Sequence, residues 1–154
     1  MSTASKVPVA VRAIHDAIAA AAPNTVVVVG PGDTSDPGDN GLVLVGVSDA
    51  DETTYSEAVT GSQQWAQLGG KFRDENFHVH CVAVAWNGDS DALRAMDDAY
   101  ALLGTLVSAI VADPTLGGAL LYAVGITSHS LKFVTDDSGA AAHVPFDIEC
   151  RTRI

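Results

Sequence analysis

The sequence predicts an α+β fold: a mainly antiparallel central sheet flanked by two helices, in a single domain of 154 residues. Three observations predict it. A long amphipathic pattern begins at Leu93, with apolar residues at Leu93, Met96, Tyr100, Leu103, Val107 and Ile110 in helical steps of three and four. From Ala142 to Ile154 the pattern changes to strict alternation. Ala142, Val144, Phe146, Ile148, Cys150, Thr152 and Ile154 share one side, and His143, Asp147, Glu149, Arg151 and Arg153 share the other, so one face is buried and one is wet. A β-branched run, Thr25 to Val29, stands between turn residues.

The elements follow in order. A first helix spans about Pro8 to Ala22, since Val11, Ile14, Ile18 and Ala21 repeat at helical spacing, Pro8 suits a first turn and Pro23-Asn24 ends the pattern. Thr25 to Val29 is then a strand buried on both faces or nearly so, bounded by Gly30-Pro31-Gly32. A loop rich in Pro, Gly, Asp and Asn runs from Pro31 to Gly41, and Leu42 to Val47 is the second strand. Ser48 to Gly61 is acidic, polar and expected to be mobile. Ser62 to Leu68 and Glu75 to Trp86 form a hairpin through Gly69-Gly70-Lys71. In its second arm Phe77, Val79, Cys81, Ala83 and Ala85 share one face, and His78, His80, Val82, Val84 and Trp86 the other. The turn Asn87-Gly88-Asp89-Ser90 supplies the cap of the long helix, with Asp91 in its first turn. That helix ends at Asp113-Pro114-Thr115-Leu116-Gly117-Gly118, and two strands closed at Asp136-Asp137-Ser138-Gly139 follow, for an order of helix, four strands, helix, two strands.

Composition narrows the function. Eight Lys and Arg against nineteen Asp and Glu leave a formal charge of -11, with no basic cluster to neutralise phosphates, so nucleic-acid binding is not expected. The longest apolar runs, including Ala99 to Ala112, are read as too short or too interrupted for the roughly 20 residues of a membrane span. No secretory leader is recognisable at the N-terminus, and Cys81 and Cys150 are too far apart in sequence to suggest a disulfide framework. The expected setting is cytosolic.

Several motifs invite a chemical reading. Gly30-Pro31-Gly32 after a strand resembles part of a dinucleotide fingerprint, but Asp33 to Gly38 cannot open the helix whose amides would meet a pyrophosphate. Asp33, Asp36, Asp39 and Asn40 lack the alternate spacing and closing glutamate of a calcium loop. His78 and His80 share a strand face, whereas Cys81 points away, so a zinc site would need further ligands from His129, His143 or a neighbouring acid. They are read as surface or interface histidines. Cys81–His80 and Ser128–His129 fail as nucleophile–base pairs because strand neighbours diverge. No catalytic residue, metal or cofactor is assigned.

The long helix ending in Asp-Pro-Thr-Leu-Gly-Gly, the Thr127-Ser128-His129 strand and the final Cys150-Arg151-Thr152-Arg153-Ile154 resemble the tail terminator proteins of long-tailed bacteriophages, particularly those of actinobacterial hosts. Asp36-Pro37-Gly38-Asp39 followed by Leu42 to Gly46 is similar to that family's first loop and strand. The resemblance implies a tail-terminator-like fold and a structural virion protein, not an enzyme. Such a protein assembles in the host cytoplasm and sits at the tail–neck junction. There it caps the finished tail tube as a ring, usually a hexamer, and offers a surface to the head–tail connector, while genome DNA passes without specific binding. The implied partners are further copies of itself, the tube protein and the connector, with no membrane. Asp36, Asp39, His78, His80, Asp147, Glu149, Arg151 and Arg153 are the assembly-interface candidates. Another neck component, or a small α+β enzyme or ligand-binding domain, is the alternative.

Overall fold

A computed structural model describes residues 4–31, 41–48, 56–66, 68–136 and 139–154. Two long strands, β4 (Arg73–Asn87) and β7 (Gly139–Arg153), form its spine, antiparallel from Asp74↔Arg153 to Asn87↔Ala140. Each is too long for one short neighbour, so each outer edge carries two in succession. Beside β4 lie β3 (Val59–Trp65), antiparallel over Arg73 to Val79, and β2 (Leu42–Val45), antiparallel over Cys81 to Val84. β1 (Val26–Val29) extends β2 in parallel. Beside β7 lie β5 (Tyr122–His129) and β6 (Lys132–Asp136), both antiparallel. The fold is α+β, as the sequence predicts, with seven strands in one mixed sheet and two helices among the described residues.

Both helices lie on one face. α1 (Val7–Ala21) buries Ala10, Ile14 and Ile18, and α2 (Ala92–Ala112) buries Ala95, Ala99, Leu103, Leu106 and Ile110. They meet Val43 and Val45 of β2, Phe77 to Ala85 at alternate positions of β4, and Ala142 to Cys150 at alternate positions of β7. Burying each of the larger side chains is worth roughly 1.5–3 kcal/mol. A second, smaller cluster, Leu42, Leu44, Val47, Val82 and Val84 with Val28, fills the opposite side of the same strands.

Several expectations need correction. The α2 stripe is rotated: Leu93 is 67% exposed and Val107 40%, because alanines 95 and 99 let the helix approach the sheet closely and Leu106 takes the inward place. Asp91 is the N-cap itself, accepting from the Arg94 amide at 3.1 Å, and not a first-turn residue. α2 also has the length and composition to cross a membrane, against the reading of its sequence; its buried stripe packs on β4 and β7. The four-valine strand β1 is an edge, with Val26 and Val29 both 54% exposed, while β2 beside it is buried throughout. β3 begins at Val59, inside the segment read as a mobile loop. Three strands, not two, follow α2, since the chain breaks at Ser130 and Leu131 between β5 and β6. His143, assigned to the wet face, is 5% exposed opposite Val84.

The Asp113 to Gly118 turn explains its own sequence. The Asp113 carboxylate accepts from the Gly117 amide at 2.8 Å and the Thr115 hydroxyl at 2.9 Å, and these bonds hold its pKa below the usual carboxylate range. Leu116 folds inward with φ +49°, and Gly117 and Gly118 continue in the left-handed region that glycine tolerates.

Candidate assembly interface

Away from the helices, the first half of β4 and the second half of β7 build a polar field. The register sets Asp74 opposite Arg153, Asn76 opposite Arg151, His78 opposite Glu149 and His80 opposite Asp147. Directly opposed side chains on one face are the closest cross-strand neighbours, so groups of complementary charge or polarity meet in pairs. Arg153 forks onto Asp74 with bonds of 2.7 and 3.3 Å. That bond holds the Asp74 carboxyl below its ordinary value and raises the Arg153 guanidinium. Arg151 reaches Glu149 at 3.5 Å along the same strand. A hollow of about 250 Å³, lined in part by Asp74, Asn76, Arg151 and Arg153, opens at this end.

Six of the eight sequence candidates therefore meet on one surface. Asp36 and Asp39, with Asp33 and Asn40 of the weighed calcium loop, lie outside the described residues. The charges of Asp74 and Arg153 and of Glu149 and Arg151 are already matched within the chain, so the field offers a partner paired groups more than bare ones.

The flanking strands add Thr60 and Ser128, which the sequence did not place on this face. His80 Nδ1 bonds Asp147, whose other oxygen accepts from the Ser128 hydroxyl of β5 at 3.0 Å. The His80 Nε2 lies 3.2 Å from the Thr60 hydroxyl of β3 and 3.7 Å from Glu57. The imidazole bridges the Asp147 carboxylate of β7 and the Thr60 hydroxyl of β3. Thr60, His80 and Asp147 thus form a hydroxyl–imidazole–carboxylate string, the order of groups that activates a nucleophile. Only the pairing of β3 with β4 brings Thr60 to His80, and no sequence spacing encodes that register. His78 has its Nδ1 buried without a hydrogen-bond partner.

The histidines are otherwise dispersed. His129 turns to the Tyr100 hydroxyl of α2 at 3.2 Å, and His143 sits near the far end of β7. Among the described residues no group of three or more His, Cys, Asp or Glu could hold a metal ion. Cys81 and Cys150 are free thiols on the helix side, and burial pushes both up to about 12. Cys81 thus diverges from His80, as strand alternation requires, and Ser128 diverges from His129 in the same way.

A buried carboxylate sits on the helix side of the spine. Glu75, 4% exposed, accepts from the Ser5 hydroxyl at 2.7 Å, the Lys6 amide at 2.8 Å, Gln63 at 2.8 Å and Thr152 at 3.2 Å. Burial alone would raise its pKa, but these four donors outweigh burial and hold it below the ordinary glutamate range. The carboxylate caps the start of α1 and ties it to β3 and β7.

No protein-family model matches the chain, and no curated protein matches it.

Proposed function

We propose that this protein is a structural ring component of a long-tailed phage particle, a tail terminator. Copies of it would close on the end of the finished tail tube, stop its growth and present a surface to the head connector. The observation that supports the reading best is the character of the sheet margins. β1, β3, β5 and β6 are each paired on one side only among the described residues. Three of them, VVVV, VTGSQQW and YAVGITSH, carry no charged residue. Soluble monomers usually guard such edges with charges, proline or a covering element, and an edge left uncharged suits contact with another chain. The acidic excess of the whole chain suits a ring through which DNA passes without adhering. Sedimentation of the chain alone and with tail-tube protein tests this, together with electron microscopy of the tube ends. A closed ring on the tube end and arrested elongation are expected. A chain that stays monomeric while the tube elongates unhindered would overturn the reading.

The Thr60–His80–Asp147 string favours a second reading, a small hydrolase using Thr60 as nucleophile. Labelling of Thr60 by an acyl- or phosphonyl-transfer probe, lost in His80→Ala, would support it. Absence of labelling in the folded chain removes it.

A further inference from the structure

Among the described residues, the tip of the β3–β4 hairpin gathers three exposed large apolar side chains. Trp65 is 67% exposed, Phe72 59%, and Leu68 lies fully in solvent. The Ala66 amide bonds the Phe72 carbonyl at 3.0 Å and closes the hairpin beneath them, and the Arg73 guanidinium lies 5.8 Å from the Trp65 ring centre. Single exposed apolar side chains are ordinary on a protein surface, but three gathered on one projecting turn are not. Lys71 and Arg73, two of only eight cations in the chain, belong to the same tip.

A groove of about 390 Å³ lies at the other end of β4, between the exit of α1, the start of β1 and the outer side of α2. Its space comes from small residues: Gly41, Ala101 and Thr105 line it, with Leu102 beside them and Ala85 and Trp86 at the end of β4. Gly41 has φ +83°, and a Cβ there would stand 2.8 Å from the Val84 carbonyl oxygen, so the position is closed to larger residues. Asp98 is on the rim and Asp97 is exposed beside it on α2. The groove is thus mixed in its lining, with Asn24, Thr25 and Thr105 among its small apolar residues and acid at its edge, and the tip is apolar with basic flanks.

Tip and groove cannot meet within one chain. Thirteen residues of extended strand separate Arg73 from Trp86, about 40 Å at roughly 3.3 Å per residue. A contact between them must be head-to-tail, and repeated head-to-tail contact closes a ring when its rotation permits. We infer that the β3–β4 tip of one copy seats in the α1–α2 groove of the next copy. Trp65 and Phe72 are the anchors, and Lys71 and Arg73 face Asp97 and Asp98. This rests on the ring reading and assigns its subunit contact. Tryptophan and arginine at the centre of a patch are the residues that most often dominate a protein contact.

The test uses five chains, the wild type and four variants, and sedimentation velocity, alone and with tube protein. Trp65→Ser with Phe72→Ser removes the tip, and Ala101→Arg fills the groove. All three positions are exposed, so melting temperatures should stay at the wild-type value. Each variant alone should need a roughly tenfold or higher concentration to assemble. An equal mixture should stop at a one-to-one dimer, since only one competent tip and one competent groove remain in each pair. Lys71→Asp should weaken assembly, and Asp98→Lys in the same chain should restore it; this exchange decides the matter if an anchor variant melts early. Variants that assemble like the wild type, or a mixture that stays monomeric, overturn the contact while leaving the ring intact. A wild-type chain that never associates overturns contact and ring together. Loss of tube binding by the tip variant with self-assembly unchanged would make the tip a surface for the tube, and also overturns the contact.

Discussion

The two faces of the β4–β7 ladder are built from the same strands, residue by residue in alternation, yet they follow different rules. On the helix side, alternate positions from Phe77 to Ala85 and from Ala140 to Thr152 are all buried. On the other side, burial among Val82, Val84, Ala141 and His143 gives way, along the same strands, to His78, His80, Asp147, Glu149 and Arg151, which are only partly covered or exposed. A period of two lets one strand hold a core with one set of side chains and offer contacts with the other. The helix side should therefore govern stability, and the open side should tolerate change until a partner is present.

The severest way to break this contrast is to shorten the ladder. Removing Cys150 to Ile154 strips Cys150 and Thr152 from the helix side, the Thr152 bond from Glu75, and the mutual backbone bonds of Arg73 and Ile154. It also leaves Asp74 to Phe77 without their β7 partners. Against a usual total of about 5–15 kcal/mol, such a loss should abolish cooperative unfolding. A truncated chain that stays soluble with an unchanged melting temperature would show that the helix side does not need this strand end.

A smaller break tests the core alone. Phe146, 2% exposed, packs with Phe77 and both helices. Phe146→Ala should cost about 3–5 kcal/mol, by lost burial and a residual cavity. Chemical denaturation would measure it, and a cost below about 1 kcal/mol would mean that the site collapses freely.

Glu75 sharpens the contrast, because it is a charge on the side that should carry none. Glu75→Gln should cost roughly 2–3 kcal/mol, since the neutral amide meets four donors with one acceptor oxygen. The pH dependence has a definite sign. A carboxyl held below its ordinary value near 4.5 adds stability above that value, and the stability is lost as pH falls through the lower, folded value. Wild type should thus lose stability in mild acid faster than Glu75→Gln does, by denaturant titration from pH 7 to 3. Parallel curves would show that Glu75 contributes nothing through its charge.

Much of this was legible in the sequence. The alternation of β7 and the second arm of the hairpin placed nearly every inward residue, because a period of two survives any uncertainty about pairing. The same alternation puts Glu75 in line with Phe77 and Val79, so its inward position was readable, although its four donors were not. Two kinds of information were missing. Burial of β1 depends on whether a strand is central or marginal, and VVVV reads the same in both places. The roll of α2 depends on how closely alanines let it approach, which hydrophobicity alone misplaces. The candidate face was legible as a list of residues on two strands, but Thr60 and Ser128 joined it only through the registers of β3 and β5.

The least costly change lies one residue from the second. Asp147 follows Phe146 on β7, and its partner His80 precedes Cys81 on β4, so His80→Ala alters the same place in the sheet from the opposite side. His80 gives up its bonds to Asp147 and Thr60, but Asp147 keeps the Ser128 hydroxyl and is open enough for water to replace the imidazole. The expected cost is about 1 kcal/mol, or roughly 2–4 °C in melting temperature. If the polar field lies at a subunit or tube contact, the same substitution should weaken assembly by far more than it lowers melting, because a group left unpaired in a closed interface loses that water. A destabilisation as large as that of Phe146→Ala would erase the distinction between the faces. A small thermal shift with unchanged assembly would keep the distinction and move the contact elsewhere, to the uncharged edges or the hairpin tip.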